Sequence, residues 1–365
     1  MKVVHVISGR ETGGSRKHLL SLLKCFPKGD AALIVFQKGL LYDEACHLDI
    51  NVQLLEQTSR YDLSVLKKMV NHINEKDYDI IHSHGARANL FTYLIKRKLR
   101  APWVATVHSD PSLDFMHKGL RGKIFSMINK KTFNSIDLIF AVSDHLKNRL
   151  IEEGLEKEKI KTVYNGIQFD NRLHLSKLKK EAFGLTEDDF IIAMAARCHP
   201  IKGHEIVFKA LKELNDINIK VLLIGDGPSK KDLEAKAREM GLISQVRFLG
   251  FRSDVEALID LADISLLASY SESFPLVLLE SAKMKKTVIA TNVGGVNALI
   301  PDQSMGFVVP KGDPASLKEA ILTAKKIKQA GKLGDMGERL YQHAKSHFSL
   351  HQLYEMIYDN YQHIL

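Results

Sequence analysis

The sequence is poor in the residues that staple a chain or carry it through a membrane. Its three cysteines, Cys25, Cys46 and Cys198, are odd in number and show no C-x-x-C spacing. A disulfide framework and a thiolate metal site are therefore set aside, and the three are expected to be buried thiols. No apolar run approaches the ~20 residues of a membrane-spanning helix. Met1-Lys2 leads straight into V-V-H-V-I, which reads as a strand and not a leader peptide, so a cytoplasmic chain is expected. Neither a repeat of about 20–50 residues nor a low-complexity tract is present, which argues against a solenoid or a disordered scaffold.

What is present suits a globular chain. With 365 residues, 45% hydrophobic and 26% charged, it is long enough for two domains of roughly 180 residues, each burying its own core. The net charge of +9 is uneven, +7 in residues 1–170 and +2 in 171–365. The excess gathers in Lys96-Arg97-Lys98-Leu99-Arg100 and in Lys118–Lys131, where Leu120, Ile124, Phe125, Met127 and Ile128 are interleaved. The second stretch has the pattern of a basic amphipathic helix, suited to an anionic membrane surface or an acidic acceptor, and equally to a solvated face. Nothing in the pattern suggests a nucleic-acid partner.

Short β-branched runs alternate with helical periodicity from end to end, the sequence form of βαβ units and parallel sheets. Strands are expected at Val3–Ile7, Ala32–Phe36, Val52–Leu54, Ile80–His82, Trp103–Thr106, Leu138–Ala141 and Lys161–Val163, then at Ile191–Ala195, Val221–Ile224, Val246–Leu249, Ile264–Leu267, Val288–Ala290 and Gly306–Val308. The turn-rich, lysine-rich stretch Asn165–Lys180 interrupts the alternation and is expected to link two Rossmann-like α/β domains, residues 1–168 and 169–348. The last segment, 349–365, carries Leu353, Ile357, Tyr358, Tyr361 and Leu365 at helical spacing and needs an apolar partner.

Several strand ends carry residues with chemistry. In E-S-F-P-L-V-L-L-E, Glu272 and Glu280 bracket Pro275, whose fixed φ suits the first turn of a helix; the amides of that turn would form an anion site. A plain surface helix with acidic residues near its start reads equally well. In A-A-R-C-H-P-I-K-G, Arg197 and Lys202 follow a strand and are placed to grip a diphosphate, Arg as a fork and Lys as a point charge. The glycine turns S-G-R-E-T-G-G-S (Gly13, Gly14), I-G-D-G-P (Gly225) and T-N-V-G-G-V offer close backbone approach. The first lacks the G-x-G-x-x-G spacing of a dinucleotide site, and no acidic residue ends the second strand, which argues against NAD. His82 and His84 in H-S-H-G, with His108 in T-V-H, could form a metal constellation, so a metallohydrolase is a minor alternative. D-Y-D at Asp77–Asp79 imitates a metal clasp but precedes its strand, and reads as a solvated turn.

Taken in order, these residues resemble the family 4 glycosyltransferases, retaining enzymes of the GT-B fold, over nearly the whole chain. Glu272 and Glu280 are similar to the family's E-x7-E motif with its F-P step. Gly13-Gly14, H-S-H-G, T-V-H, A-V-S-D-H-L (Ala141–Leu146), V-Y-N-G-I (Val163–Ile167), the Arg197/Lys202 pair and F-L-G-F (Phe248–Phe251) support the likeness. The resemblance implies two Rossmann-like domains facing across a cleft, with the last helix crossing back to the amino-terminal domain. It implies that Arg197 and Lys202 bind the donor diphosphate with no metal. Glu280 would hold the ribose, and Glu272, with Ser273 and the amides of Phe274, Leu276 and Val277, the sugar and phosphate. His108 would reach the transferred sugar. Gly13, Gly14 and Gly225 would approach the phosphates, and the base would lie along Arg247, Phe248, Leu249 and Gly250. The activity implied is transfer from a nucleotide-diphosphate sugar, a UDP-sugar before GDP-mannose, to a glycan, lipid-linked or polymeric acceptor at the inner face of a membrane. A sugar-nucleotide epimerase on the same fold and a non-catalytic binding or assembly protein are the alternatives.

Overall fold

A computed structural model describes the chain apart from residues 12, 60–61, 111–118 and 171–177 and the side chains of 119–126. It divides into two compact units, Met1–Ile167 with Leu350–Leu365, and Gln168–Ser349. The first holds β1 (Val3–Ile7), β2 (Ala31–Val35), β3 (Val52–Leu54), β4 (Ile80–His84), β5 (Trp103–Val107), β6 (Leu138–Ala141) and β7 (Ile160–Thr162), in the order β3-β2-β1-β4-β5-β6-β7. The second holds β8 (Phe190–Ala195), β9 (Ile219–Ile224), β10 (Val246–Gly250), β11 (Ile264–Leu267), β12 (Thr287–Thr291) and β13 (Gly306–Val309), in the order β10-β9-β8-β11-β12-β13. The named strands pair in parallel throughout. Two parallel α/β sheets of the Rossmann type are thus present, with strand ends within two residues of those expected.

The sequence reason is visible in the runs themselves. V-V-H-V-I and F-I-I-A-M-A are apolar on both faces, and all of β1 is buried, because a parallel sheet carries helices on both sides. The covering helices are one-sided. Ser64–Lys76 buries Val65, Met69 and Ile73, and ends at Asp77 in the left-handed conformation, φ 50°. Asp79 then accepts the Lys2 N–H at 2.7 Å, so Asp77–Asp79 is a helix-to-strand turn.

Each sheet reverses direction once. The chain leaves β1 toward β2 and β3 and returns on the other flank at β4; in the second unit it leaves β8 toward β9 and β10 and returns at β11. The loops after the two flanking strands diverge there, which opens a crevice at the carboxyl ends of the strands.

The terminal helix Leu350–Ile364 belongs to the first unit, where Leu353, Ile357 and Tyr361 pack with Val3, Ile80, Val104 and Phe140. Its start is tied to the crossing between units, since the Leu350 N–H donates to the Ile167 carbonyl at 2.8 Å. The stripe differs from expectation at its edges. Tyr358 is half-buried and Leu365 is exposed (65%) because it lies beyond the last turn, while Tyr354 packs edge-on to Phe26 at 5.1 Å. The cysteines also depart from expectation: only Cys198 is buried. Cys46 lies on the outward side of the helix Leu40–His47, which buries Leu41 and Ala45 instead. The basic stretch forms the helix Gly119–Asn134, with Lys118 outside the described residues; Met127 and Ile128 are exposed beside Lys130 and Lys131.

Candidate active site

In the second unit the crevice opens between β8 and β11. Arg197 is exposed two residues beyond β8. A single 3-10 turn follows, Pro200–Lys202, capped by His199 Nδ1 accepting the Ile201 N–H at 3.3 Å. Gly203 has φ +70°, and a Cβ there would lie 2.0 Å from the Ala268 carbonyl oxygen, so only glycine lets this loop sit against the end of β11. The Tyr270 N–H donates to the Ile201 carbonyl at 2.8 Å and holds the two loops together. Lys202 Nζ thereby comes to 2.5 Å from Glu272 Oε1, which also accepts from Ser269 Oγ at 2.6 Å.

The loop carrying Glu272 is braced from the next strand. Thr291 Oγ1 donates to the Ser269 carbonyl at 2.6 Å, and the Gly295 N–H to the Ser273 carbonyl at 2.8 Å. Gly294, at φ +55°, has no room for a side chain: a Cβ would lie 2.4 Å from the carbonyl oxygens of both Glu272 and Ser273. The Phe274 ring is buried against Phe348 at 5.1 Å. Pro275 stands one residue earlier than expected. It is the N-cap of the helix Leu276–Lys283, with φ −78° and ψ 113°, the extended ψ keeping it out of the first turn. The Leu278 N–H reaches the Pro275 carbonyl at 3.2 Å, so the amides of Leu276 and Val277 head the helix without an intrahelical acceptor. Glu280 lies half-buried one turn further on.

A third wall comes from β9 and β10. Cβ atoms on Gly225 and Gly227 would lie 2.1 and 2.4 Å from the carbonyl oxygens of Ala196 and Cys198, so this turn rests directly on the Arg197 loop. The Gly225 N–H donates to the Gly250 carbonyl at 2.8 Å. The Arg247 side chain turns to structure, donating to the carbonyls of Phe183 at 3.2 Å and Ile243 at 2.9 Å. Phe248 packs edge-on to Phe208 with ring centroids 6.4 Å apart, and Leu249 packs against a core cluster that includes Leu222 and Ile224.

The first unit has its own crevice at β1 and β4. Gly13 caps the helix Gly14–Leu23 without a side-chain bond, and a Cβ on it would meet nothing within 4 Å. The same unit holds a histidine cluster that the spacing shows only in part. His5 pairs in register with His82, and His5, His82 and His84 bring nitrogens within 4.8 Å of one another. Both nitrogens of His82 are engaged, Nδ1 with the Tyr361 hydroxyl at 2.5 Å and Nε2 with Thr106 Oγ1 at 2.7 Å. Among the described residues no carboxylate joins this group. Burial holds the cluster neutral, pushing His5 down to about 3 and His108 to about 4, and His18, His82 and His84 well below the ordinary histidine range, with mutual repulsion of the rings adding to the last three.

The structure thus brings together Lys202 and Glu272, the loop of Arg197, and the turn of Gly225 in one unit. His108 joins His84 in the other. Sequence reading passed over His5, His18, Ser269 and Thr291; for His5 the available signal was a histidine in the middle of an otherwise apolar strand.

Comparison with known proteins accounts for both units. A family model described as "Glycosyltransferase Family 4" matches residues 12–171, and one described as "Glycosyl transferases group 1" matches 176–346. An N-acetyl-alpha-D-glucosaminyl L-malate synthase of Bacillus anthracis is 29% identical over 85% of this chain and 82% of its own length. An uncharacterised glycosyltransferase of Methanocaldococcus jannaschii is 33% identical over 72% of this chain and 70% of its own. The crystal structure of Anabaena HepE in complex with UDP superposes over 100% of both chains with a TM-score of 0.88 at 23% identity, and its UDP-glucose complex does so with a TM-score of 0.87. The two parallel-sheet units are those of the GT-B fold, and the chain belongs to the family 4 glycosyltransferases.

Proposed function

We infer that this glycosyltransferase is retaining and metal-independent, and that it moves a sugar from a UDP-sugar to an anionic acceptor in cell-surface polysaccharide or glycolipid synthesis. The observation that carries the reading is the Lys202–Glu272 pair over the start of the helix Leu276–Lys283, at the strand reversal of the second sheet. Arg197 and Lys202 supply two positive charges, and the helix start roughly half a charge more, to the diphosphate that leaves. Glu272 keeps Oε2 for the sugar hydroxyls, and the amides of Phe274, Leu276 and Val277 face sugar and phosphate. Glu280 takes the ribose hydroxyls. Along β10 the side chains of Arg247, Phe248 and Leu249 are committed to packing and bracing, which leaves main chain along Arg247–Gly250 to hold the base. The C1–O bond to the diphosphate breaks, the bond to the acceptor oxygen forms on the same face, and the departing phosphate takes the acceptor proton.

UDP is favoured because the fold neighbour HepE was crystallised with UDP and with UDP-glucose. The acceptor has two readings. A lipid-linked or polymeric anion suits Lys96, Arg97, Lys98 and Arg100 near exposed Leu94, and exposed Met127 and Ile128 beside Lys130 and Lys131, a surface able to meet an anionic membrane. A small anion is the second reading, because the Bacillus anthracis relative is named for L-malate. Thermal-shift measurements with UDP, GDP and ADP test the donor: UDP alone should raise the melting temperature, and a larger rise with GDP would overturn the assignment. Retention is tested by the anomeric configuration of the product.

A further inference from the structure

Three imidazoles stand in line in the first unit, His5 and His84 buried and His108 half-buried, and the donor reading above uses none of them. His5 Nδ1 lies 3.0 Å from His84 Nε2, and His84 Nδ1 lies 3.3 Å from His108 Nε2. A neutral imidazole has one donor and one acceptor nitrogen, so each proton position dictates the next. If His5 donates from Nδ1, His84 accepts at Nε2 and carries its own proton on Nδ1. It then donates to His108 Nε2, and His108 holds its proton on Nδ1. The reverse order puts the proton on Nε2 of all three.

The far end of the line decides between the two. His5 Nε2 is buried and has no hydrogen-bond partner. In the reverse order it would be a buried N–H without an acceptor, the rarer and costlier kind of orphan; in the forward order the N–H is paired and only a lone pair is left over. His82 offers no relief, since Tyr361 and Thr106 occupy both its nitrogens. His18 meets His108 only ring edge to face, at 5.2 Å, and its own nitrogens have no partner.

We propose that His5 and His84 are positioning residues that lock His108 as the neutral Nδ1–H tautomer, so that this ring presents a hydrogen-bond donor, and not a base, to a sugar hydroxyl that enters the first unit's crevice. The lock stands on the geometry of the line alone; the part concerning a sugar hydroxyl rests on the reading above of the chain as a sugar transferase. An unconstrained imidazole favours Nε2–H, so the locked form is diagnostic. Because the line ends at a buried nitrogen, no proton can enter from its far end, and His108 cannot relay the acceptor proton inward.

Long-range 1H–15N correlation on the full chain labelled with 15N-histidine reads the tautomer directly at pH 7, with His108→Gln assigning the resonance. The expected result is Nδ1–H on His108 in the parent and Nε2–H on His108 in His84→Leu, with binding of UDP-glucose to that variant weakened about tenfold. Nε2–H on His108 in the parent overturns the lock, and that measurement stands even if His84→Leu does not fold. An unchanged tautomer in a folded His84→Leu also overturns it. If the parent shows Nδ1–H but His108→Gln binds UDP-glucose as the parent does, the lock is retained and its role toward the sugar is withdrawn.

Discussion

Lys202 Nζ and Glu272 Oε1 meet at 2.5 Å although 70 residues separate them in sequence. Their side chains keep only 23% and 14% of their exposure, so the cost of taking both charges out of water offsets much of their attraction, and the pair is weak evidence of stabilisation. It is placed for a ligand more than for the fold. Lys202→Ala should remain folded and lower turnover of UDP-glucose by roughly 10²–10³-fold, as expected for losing a charge aimed at the leaving group. Parent turnover in a folded Lys202→Ala protein would remove this residue from the site.

Glu280 is assigned to the ribose. Calorimetry with UDP and 2′-deoxy-UDP isolates that contact: the parent should prefer UDP by roughly 10–100-fold, the worth of hydrogen bonds to a charged acceptor. Glu280→Ala should bind the two alike. A preference that survives the substitution places the ribose elsewhere.

Two cations and a helix start already balance the diphosphate in the proposed site, so EDTA should leave transfer from UDP-glucose unchanged. Activity that is lost on chelation and regained with manganese or zinc would redirect attention to His5, His82 and His84.

Acid should act first on the first unit. His5 is held neutral in the fold, at about 3 against an ordinary 6.5. Below pH 6.5 the unfolded chain therefore takes up a proton that the folded chain refuses. The stability contributed is whole above about pH 6.5 and falls as pH drops toward the folded value, by roughly 1.4 kcal/mol per pH unit for this group. His18, His82, His84 and His108 are shifted in the same direction and add with the same sign. Trp103, the single tryptophan, is buried in β5 with its indole N–H donating to Ser83 Oγ at 2.7 Å, and so reports on this unit. The urea midpoint read from its fluorescence should fall steadily between pH 7 and pH 5. A flat midpoint across that range would falsify the neutral cluster.

Removing residues 351–365 uncovers Val3, Ile80, Val104 and Phe140 and takes away the Tyr361 hydroxyl that bonds His82. The truncated protein should bind a hydrophobic dye and lose solubility, even though the second unit keeps Lys202, Glu272 and Glu280. Parent solubility and dye response would show that the helix is dispensable to this face.

The strands were legible because a sheet covered on both sides leaves unbroken apolar runs, as in Phe190–Ala195. Glu272, Glu280, Arg197 and Lys202 were legible as residue types at strand ends. Their partners were not. The bond between Lys202 and Glu272 depends on β8 lying beside β11, a consequence of topology that neither local stretch encodes. The line from His5 to His108 likewise needs β1, β4 and β5 to be adjacent, with His5 in register with His82. Cys46 shows the opposite limit, where an apolar residue type gave no sign that its side of the helix faces outward, as Leu365 gave none that it lies beyond the last turn.

The return of Leu350–Leu365 to the first unit also sets an order for biosynthesis. A chain emerging from its amino end presents β1 to β7 first, yet Leu353, Ile357 and Tyr361 are made only after the whole of Gln168–Ser349. The second unit can finish folding on its own stretch of chain, whereas the first must wait for the final residues before its sheet is covered. Until then the face bearing Phe140 and His82 is open, so a nascent chain stalled late in synthesis is the form in which this protein is most exposed to aggregation.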